Sequence, residues 1–156
     1  MTDLIIRFAT PADAEALVAI YAPYILKTAI TYEYEVSSTA EFAGRIETYS
    51  AKHPYLVAEM NSTPVGYAYA CPLGSRPAFD WAVEVAIYIR EDCKGMGIGK
   101  ALYGKLEAIL KAMGMRTMTA AVATVSHDDP YLTNASIRFH ERNHALIPFD
   151  RSCSSV

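Results

Sequence analysis

The chain has 156 residues and a net charge of −3, enough length for one domain with a full core. A hydrophobic share of 52% against 20% charged residues excludes a disordered chain, and the negative balance argues against a nucleic-acid binder that neutralises phosphates. No apolar run approaches the roughly 18 residues of a membrane span, the N-terminus Met-Thr-Asp-Leu lacks a basic signal region, and the odd set Cys71, Cys93 and Cys153 has no motif spacing. These features lead us to expect a cytoplasmic protein with neither membrane attachment nor disulfide frame.

Leu4 to Phe8 reads as a first strand. Thr10-Pro11-Ala12-Asp13 supplies an N-cap, a proline at the first helical position and an acid in the first turn. Leu17, Val18, Tyr21, Tyr24 and Ile25 recur at helical spacing, so residues 11–26 are predicted to be helix. A polar-aromatic loop, 28–35, precedes a second helix near 39–52, capped by Ser38 or Thr39. Tyr55 to Met60 and Val65 to Ala70 form two strands about a turn at 61–64. After a loop at 72–80, Trp81 to Ile89 is the fourth strand. Ile98 to Met113 is the third helix, with Ile98, Leu102, Leu106, Ile109 and Met113 on one stripe. Met115 to Val125 is a fifth strand and Asn134 to Asn143 a last helix. This order, with a central hairpin, predicts a mixed α/β (α+β) three-layer domain around a mixed sheet.

One segment points to chemistry. The fourth strand carries a single carboxylate, Glu84, and runs into Lys94-Gly95-Met96-Gly97-Ile98-Gly99-Lys100 at the start of the third helix. Glycines there free backbone N–H groups to face an anion, and the helix N-terminus adds partial positive charge, so a ligand with a pyrophosphate is expected. Two familiar phosphate templates fail. The Walker pattern needs Gly five residues before Gly99-Lys100 and Ser or Thr after it, where the chain has Lys94 and Ala101. The dinucleotide fingerprint needs a sixth-position glycine and an acid about 20 residues on. Lys100 or Leu102 stands at the sixth position, and residues 117–119 are Thr-Met-Thr.

A third template fits. Lys94-x-x-Gly97-x-Gly99 after an apolar strand resembles the acyl-CoA-binding motif of the Gcn5-related N-acetyltransferase (GNAT) superfamily, with Lys94 where Arg or Gln is commoner. Tyr55 to Glu59 and Val65 to Tyr69 resemble the family's central hairpin. Arg76-Pro77-Ala78-Phe79, Val83-Glu84-Val85 and Asn134-Ala135-Ser136-Ile137-Arg138-Phe139-His140-Glu141-Arg142 resemble the branch that acetylates phosphinothricin and methionine sulfoximine. The resemblance implies a central, mostly antiparallel sheet flanked by helices, acetyl-CoA as co-substrate, a small amine acceptor and direct acetyl transfer; a homodimer is expected on other grounds, from the sheet edge left open after the fifth strand.

It also implies roles. Backbone groups of Gly95, Met96, Gly97, Ile98, Gly99 and Lys100 would hold the pyrophosphate, with charge from Lys94 and Lys100 unless these are merely solvated. Backbone groups of Ile87, Tyr88 and Ile89 would pair with the pantetheine amides, as a strand edge does with an added peptide. Asn134 would cap the last helix, bond the cofactor, or both. Alternation puts Val83, Val85, Ile87 and Ile89 on one face and Glu84, Ala86 and Tyr88 on the other. A mid-strand carboxylate is costly without water, partner or ligand. Glu84 therefore either serves the acceptor ammonium, as base or counter-charge, or pairs with an arginine such as Arg76. His140 stands where many acetyltransferases carry a tyrosine beside the sulfur, and either protonates the leaving thiolate or is simply part-buried. Arg76, Thr31 and Tyr32 are the candidates for holding the acceptor. His127, Asp128 and Asp129 lack a fourth ligand and sit beside Pro130, which favours a polar loop over a metal site.

The domain is expected over 1–143. The family continues past its last helix with Gly-Phe and two strands, whereas this chain reads Asn143-His144-Ala145-Leu146 and ends at Val156. Residues 144–156 are thus expected to be an atypical tail, with the fifth strand an edge that a partner chain covers. The alternatives are a weak or inactive CoA-binding module, or a transferase for another amine such as a polyamine or a protein N-terminus.

Overall fold

The computed structural model describes residues 3–28, 33–121 and 135–143. Within them the strands β1 (Leu4–Phe8), β2 (Tyr55–Met60), β3 (Thr63–Pro72), β4 (Ala82–Ile89) and β5 (Thr117–Thr119) form one sheet in that spatial order. β1 to β4 pair antiparallel, and β5 joins β4 in parallel. A parallel neighbour needs a long crossover, which helix α3 (Ile98–Ala112) supplies. Helices α1 (Ala14–Lys27) and α2 (Thr39–Ser50) precede the central hairpin, and α4 (Ala135–Arg142) follows β5. The expected mixed three-layer architecture is therefore present.

Local chemistry sets the boundaries. Pro11–Asp13 forms a 3-10 turn rather than the first turn of α1, which corrects the predicted start at residue 11. The Asp13 carboxylate accepts the Thr10 N–H at 2.8 Å and the Arg7 guanidinium at 2.7 Å, while Arg7 also reaches Glu59 at 2.6 Å. Beside Arg7, the Asp13 carboxyl is held below its usual range despite the opposing cost of burial. This triad ties β1, β2 and the entry to α1 together. Ser38 caps α2 reciprocally with Glu41, each accepting the other's backbone N–H, at 3.2 and 2.9 Å.

The predicted stripe of α3 changes at its end. Ile98, Leu102, Leu106 and Leu110 are buried, together with Tyr103, while Met113 is exposed. Gly114 adopts φ +84°. Its N–H bonds the Lys111 carbonyl, and the Met115 N–H bonds that of Leu110, both at 3.0 Å. This Schellman stop turns the chain away before Met113 faces the sheet. β5 spans only Thr117–Thr119 within the described residues, shorter than predicted. β3 is longer, from Thr63 to Pro72.

The sheet separates two unlike layers. On one face α3 packs on Leu56, Ala58, Val65, Ala68, Ala70, Val83 and Val85. On the other, α1 and α2 pack on Tyr55, Val57 and Tyr67. Strand alternation sends Leu56 and Ala58 one way and Tyr55 and Val57 the other.

Candidate active site

The site begins where two strands part. β5 pairs with β4 only at Ala82, Val83 and Glu84. Beyond Glu84 one edge of β4 has no strand beside it among the described residues. The ladder fixes which backbone groups face that gap. Arg90 donates its N–H to Val65 of β3 at 2.8 Å, and Thr117 donates to the Trp81 carbonyl on the opposite side at 3.1 Å. Alternation then turns Val85, Ile87 and Ile89 toward the gap. Glu84, Ala86 and Tyr88 face β3, Tyr88 opposite Tyr67. The Tyr24 hydroxyl donates to the Ile89 carbonyl at 2.5 Å and accepts the Ile89 N–H at 3.4 Å. Of the three predicted backbone positions, Ile87 faces the gap, Ile89 is engaged by Tyr24, and Tyr88 contributes its ring rather than its backbone.

A cavity of about 490 Å³ runs from this gap along the glycine turn. Gly95 and Gly97 adopt φ +78° and +81°, which other residues reach only with strain. A Cβ built at either would meet nothing within 4 Å, so the backbone demands glycine and leaves the space beside it open. Gly97 is the N-cap of α3, its carbonyl accepting the Ala101 N–H at 3.1 Å. The N–H groups of Ile98, Gly99 and Lys100 have no partner within the helix, so the helix start offers donors and partial positive charge. These features fit a diphosphate. Lys94 and Lys100 line the cavity, with the Lys94 ammonium 4.7 Å above the Tyr24 ring. Met96 is exposed and does not line it. At Gly99 the bare backbone serves packing instead. A Cβ there would stand 3.1 Å from the Phe139 ring, so the absence of a side chain lets α4 dock.

A second cavity, of about 400 Å³, lies on the aromatic face. Glu84 lines it with Glu33, Arg45 and six tyrosines: Tyr21, Tyr49, Tyr55, Tyr67, Tyr69 and Tyr88. Tyr49, Tyr69, Tyr55 and Tyr67 stack in near-parallel sequence, with centroids 5.5, 4.9 and 6.0 Å apart. Burial raises the pKa values of Tyr55, Tyr67, Tyr69 and Tyr88, so they stay protonated and can donate. Arg45 pairs with Glu33 at 2.6 Å, which keeps the guanidinium charged against the cost of burial.

The two cavities share Ile87, Tyr88, Ser136 and His140. His140 is 7% exposed, and its Nδ1 has no hydrogen-bond partner among the described residues. Burial lowers its pKa, so the imidazole is neutral at neutral pH.

Arg76 lies exposed at the start of a 3-10 turn, Pro77–Phe79, and lines neither cavity. No ion pair joins Arg76 to Glu84 among the described residues, and Arg45 lines the cavity that Glu84 lines. Thr31, Tyr32, Asn134 and residues 127–130 lie outside the described residues. Sequence reasoning missed Arg45, Tyr49 and Tyr24. The signal for the first two was present: Phe42, Arg45 and Tyr49 recur at helical spacing, an arginine within an aromatic stripe, and all three line the cavity.

Comparison with known proteins agrees with this geometry. A family model described as an acetyltransferase (GNAT) domain matches residues 6–143. Phosphinothricin N-acetyltransferase of Streptomyces viridochromogenes is 32% identical over 136 residues, covering 87% of this chain and 70% of that protein. The L-methionine sulfoximine/L-methionine sulfone acetyltransferase of Salmonella typhimurium is 30% identical, covering 86% and 75%. The crystal structure of a phosphinothricin acetyltransferase from Sinorhizobium meliloti in complex with AcCoA superposes with a TM-score of 0.81. It is 34% identical, with 90% of this chain and 74% of that one covered. A glycine-turn cradle on one side of a parted sheet, a carboxylate on the other and a match across nearly every described element make this chain a member of the GNAT family of N-acetyltransferases, whose co-substrate is acetyl-CoA.

Proposed function

We propose that this protein transfers the acetyl group of acetyl-CoA directly to the amino group of a small amino-acid-like acceptor of the phosphinothricin or methionine sulfoximine type. One observation carries the reading: the cavity bearing Glu84 and the cavity bearing the glycine turn meet at Ile87 and His140. Acetyl-CoA, when bound, supplies an activated carbonyl and a thiolate leaving group.

The residues of the chain do the rest. Gly95 and Gly97 to Lys100, which line the cavity, hold the diphosphate by backbone N–H groups. The Ile87 N–H, facing the gap, is placed to bond the carbonyl oxygen as negative charge develops there. Glu84 takes the first proton from the acceptor ammonium, directly or through one water. The amine loses a second proton as the new bond forms. His140, neutral at pH 7, receives this proton and delivers it to the departing sulfur, so it relays a proton rather than supplying its own. The tyrosine wall excludes water and aligns the acceptor.

The reading includes a cytoplasmic enzyme that pairs with a second copy of itself. Cys71 and Cys93 as free thiols fit that compartment, and mass measured in solution tests the pairing. For the chemistry, Glu84→Gln is expected to lower kcat at neutral pH by about 100-fold while acetyl-CoA affinity stays within about twofold. Calorimetry beside a thiol-release assay checks both. Equal turnover by the two proteins removes Glu84 from the mechanism.

A further inference from the structure

Among the described residues, the charged side chains on the acceptor cavity are Glu33, Arg45 and Glu84. Two carboxylates and one guanidinium leave a single negative charge, which suits an ammonium. The position of Arg45 says more. It projects from α2 beside the Phe42 ring, its guanidinium 5.9 Å from the centroid. It bonds Glu33 Oε1 at 2.6 Å and Ser37 Oγ at 3.0 Å, both through Nη2. The N–H groups on Nη1 and Nε have no acceptor among the described residues. Arg45 is thus tied to Glu33 and Ser37 by one nitrogen, while its side chain lines the cavity that Glu84 also lines. Tyr49, stacked on Tyr69, lines the same cavity as Arg45, Glu84 and Glu33.

We propose that Arg45 is the specificity residue of this transferase: its Nη1 and Nε groups receive the α-carboxylate of the acceptor while Glu84 takes the ammonium, restricting the enzyme to α-amino acids. This deepens the transferase reading and rests on it. Glu33 acts as the strut that orients the guanidinium. A carboxylate on a prealigned arginine gains charge-assisted hydrogen bonds, and a neutral carboxamide in its place leaves that charge unanswered. Tyrosine hydroxyls around the rest of the cavity suit a polar, compact side chain.

The test compares matched acceptors, methionine sulfone and its α-carboxamide, by thiol release from acetyl-CoA. The wild type is expected to favour the acid over the amide in kcat/KM. In Arg45→Gln that acid-to-amide ratio falls by about 100-fold, mainly through KM for the acid. Glu33→Gln, which removes the strut but keeps the guanidinium, retains a preference for the acid. A ratio unchanged in Arg45→Gln, with both acceptors slowed alike, makes Arg45 a structural residue and overturns the proposal. So does a wild type that takes acid and amide equally, an outcome that leaves the transferase reading intact. Absence of thiol release with every amine overturns both.

Discussion

The two faces of the sheet solve different problems with different side chains. The α3 face is aliphatic, built of Leu, Ile, Val and Ala with Cys93. The α1/α2 face is aromatic, with Tyr21, Tyr24, Tyr55 and Tyr67 in its buried layer and Tyr49, Tyr69 and Tyr88 against it. An aliphatic layer closes to native density and excludes water. A tyrosine layer combines ring contacts with hydroxyls that want partners, so it forms a wall against which a polar ligand can bind. Under the proposed function, the comparison divides stability and selectivity by layer, with β4 belonging to both: Val83 and Val85 face the aliphatic side, and Glu84 and Tyr88 line the cavity on the aromatic face.

This division can be broken from either side. The largest expected effect is on the aliphatic face. Leu106 is fully buried, and Leu106→Ala is expected to cost about 3 kcal/mol of stability, read as a fall in the denaturant midpoint, while relative preference among acceptors stays put. At the boundary, Gly97→Ala places a side chain at φ +81°. Strain of about 1–2 kcal/mol is expected to weaken acetyl-CoA binding roughly tenfold by calorimetry without altering acceptor preference. The smallest effect sharpens the comparison from the aromatic side. Tyr49→Phe keeps the stack on Tyr69 and removes one hydroxyl; stability is expected to stay within about 0.5 kcal/mol while acceptor KM rises about fivefold. An acceptor KM that moves with Leu106→Ala but not with Tyr49→Phe would show that the layers do not divide the work this way.

What was legible in the sequence was local. Leu4–Phe8 and Tyr55–Met60 match the strands residue for residue, because short apolar runs bounded by turn residues need no distant partner to be recognised. The glycine turn was readable for the same reason: positive φ is written as glycine. Met113 departs from its predicted stripe because the apolar periodicity runs on to the C-cap, one residue beyond the helix end at Ala112, where the Gly114 stop turns the chain. The acceptor wall was harder. Arg76 lies near β4 in sequence and is exposed on the 72–80 loop, lining neither cavity. Arg45, nearly 40 residues upstream of Glu84 in the numbering, comes to the cavity because Phe42 and Ile46 bury α2 against α1 and the sheet. Side chains gathered by tertiary packing are visible in sequence only as an odd residue in a regular stripe, and a charged residue between Phe42 and Tyr49 was such a mark.

The contact between Gly99 and Phe139 has a mechanical consequence. The turn that would embrace the nucleotide end of one substrate is also the seat on which the helix bearing His140 rests. A single methyl at residue 99 would act as a shim under Phe139 and tilt the neighbouring imidazole away from the junction. On the proposed reading, grip on the donor and aim of the proton relay would thereby be set by the same bare stretch of main chain.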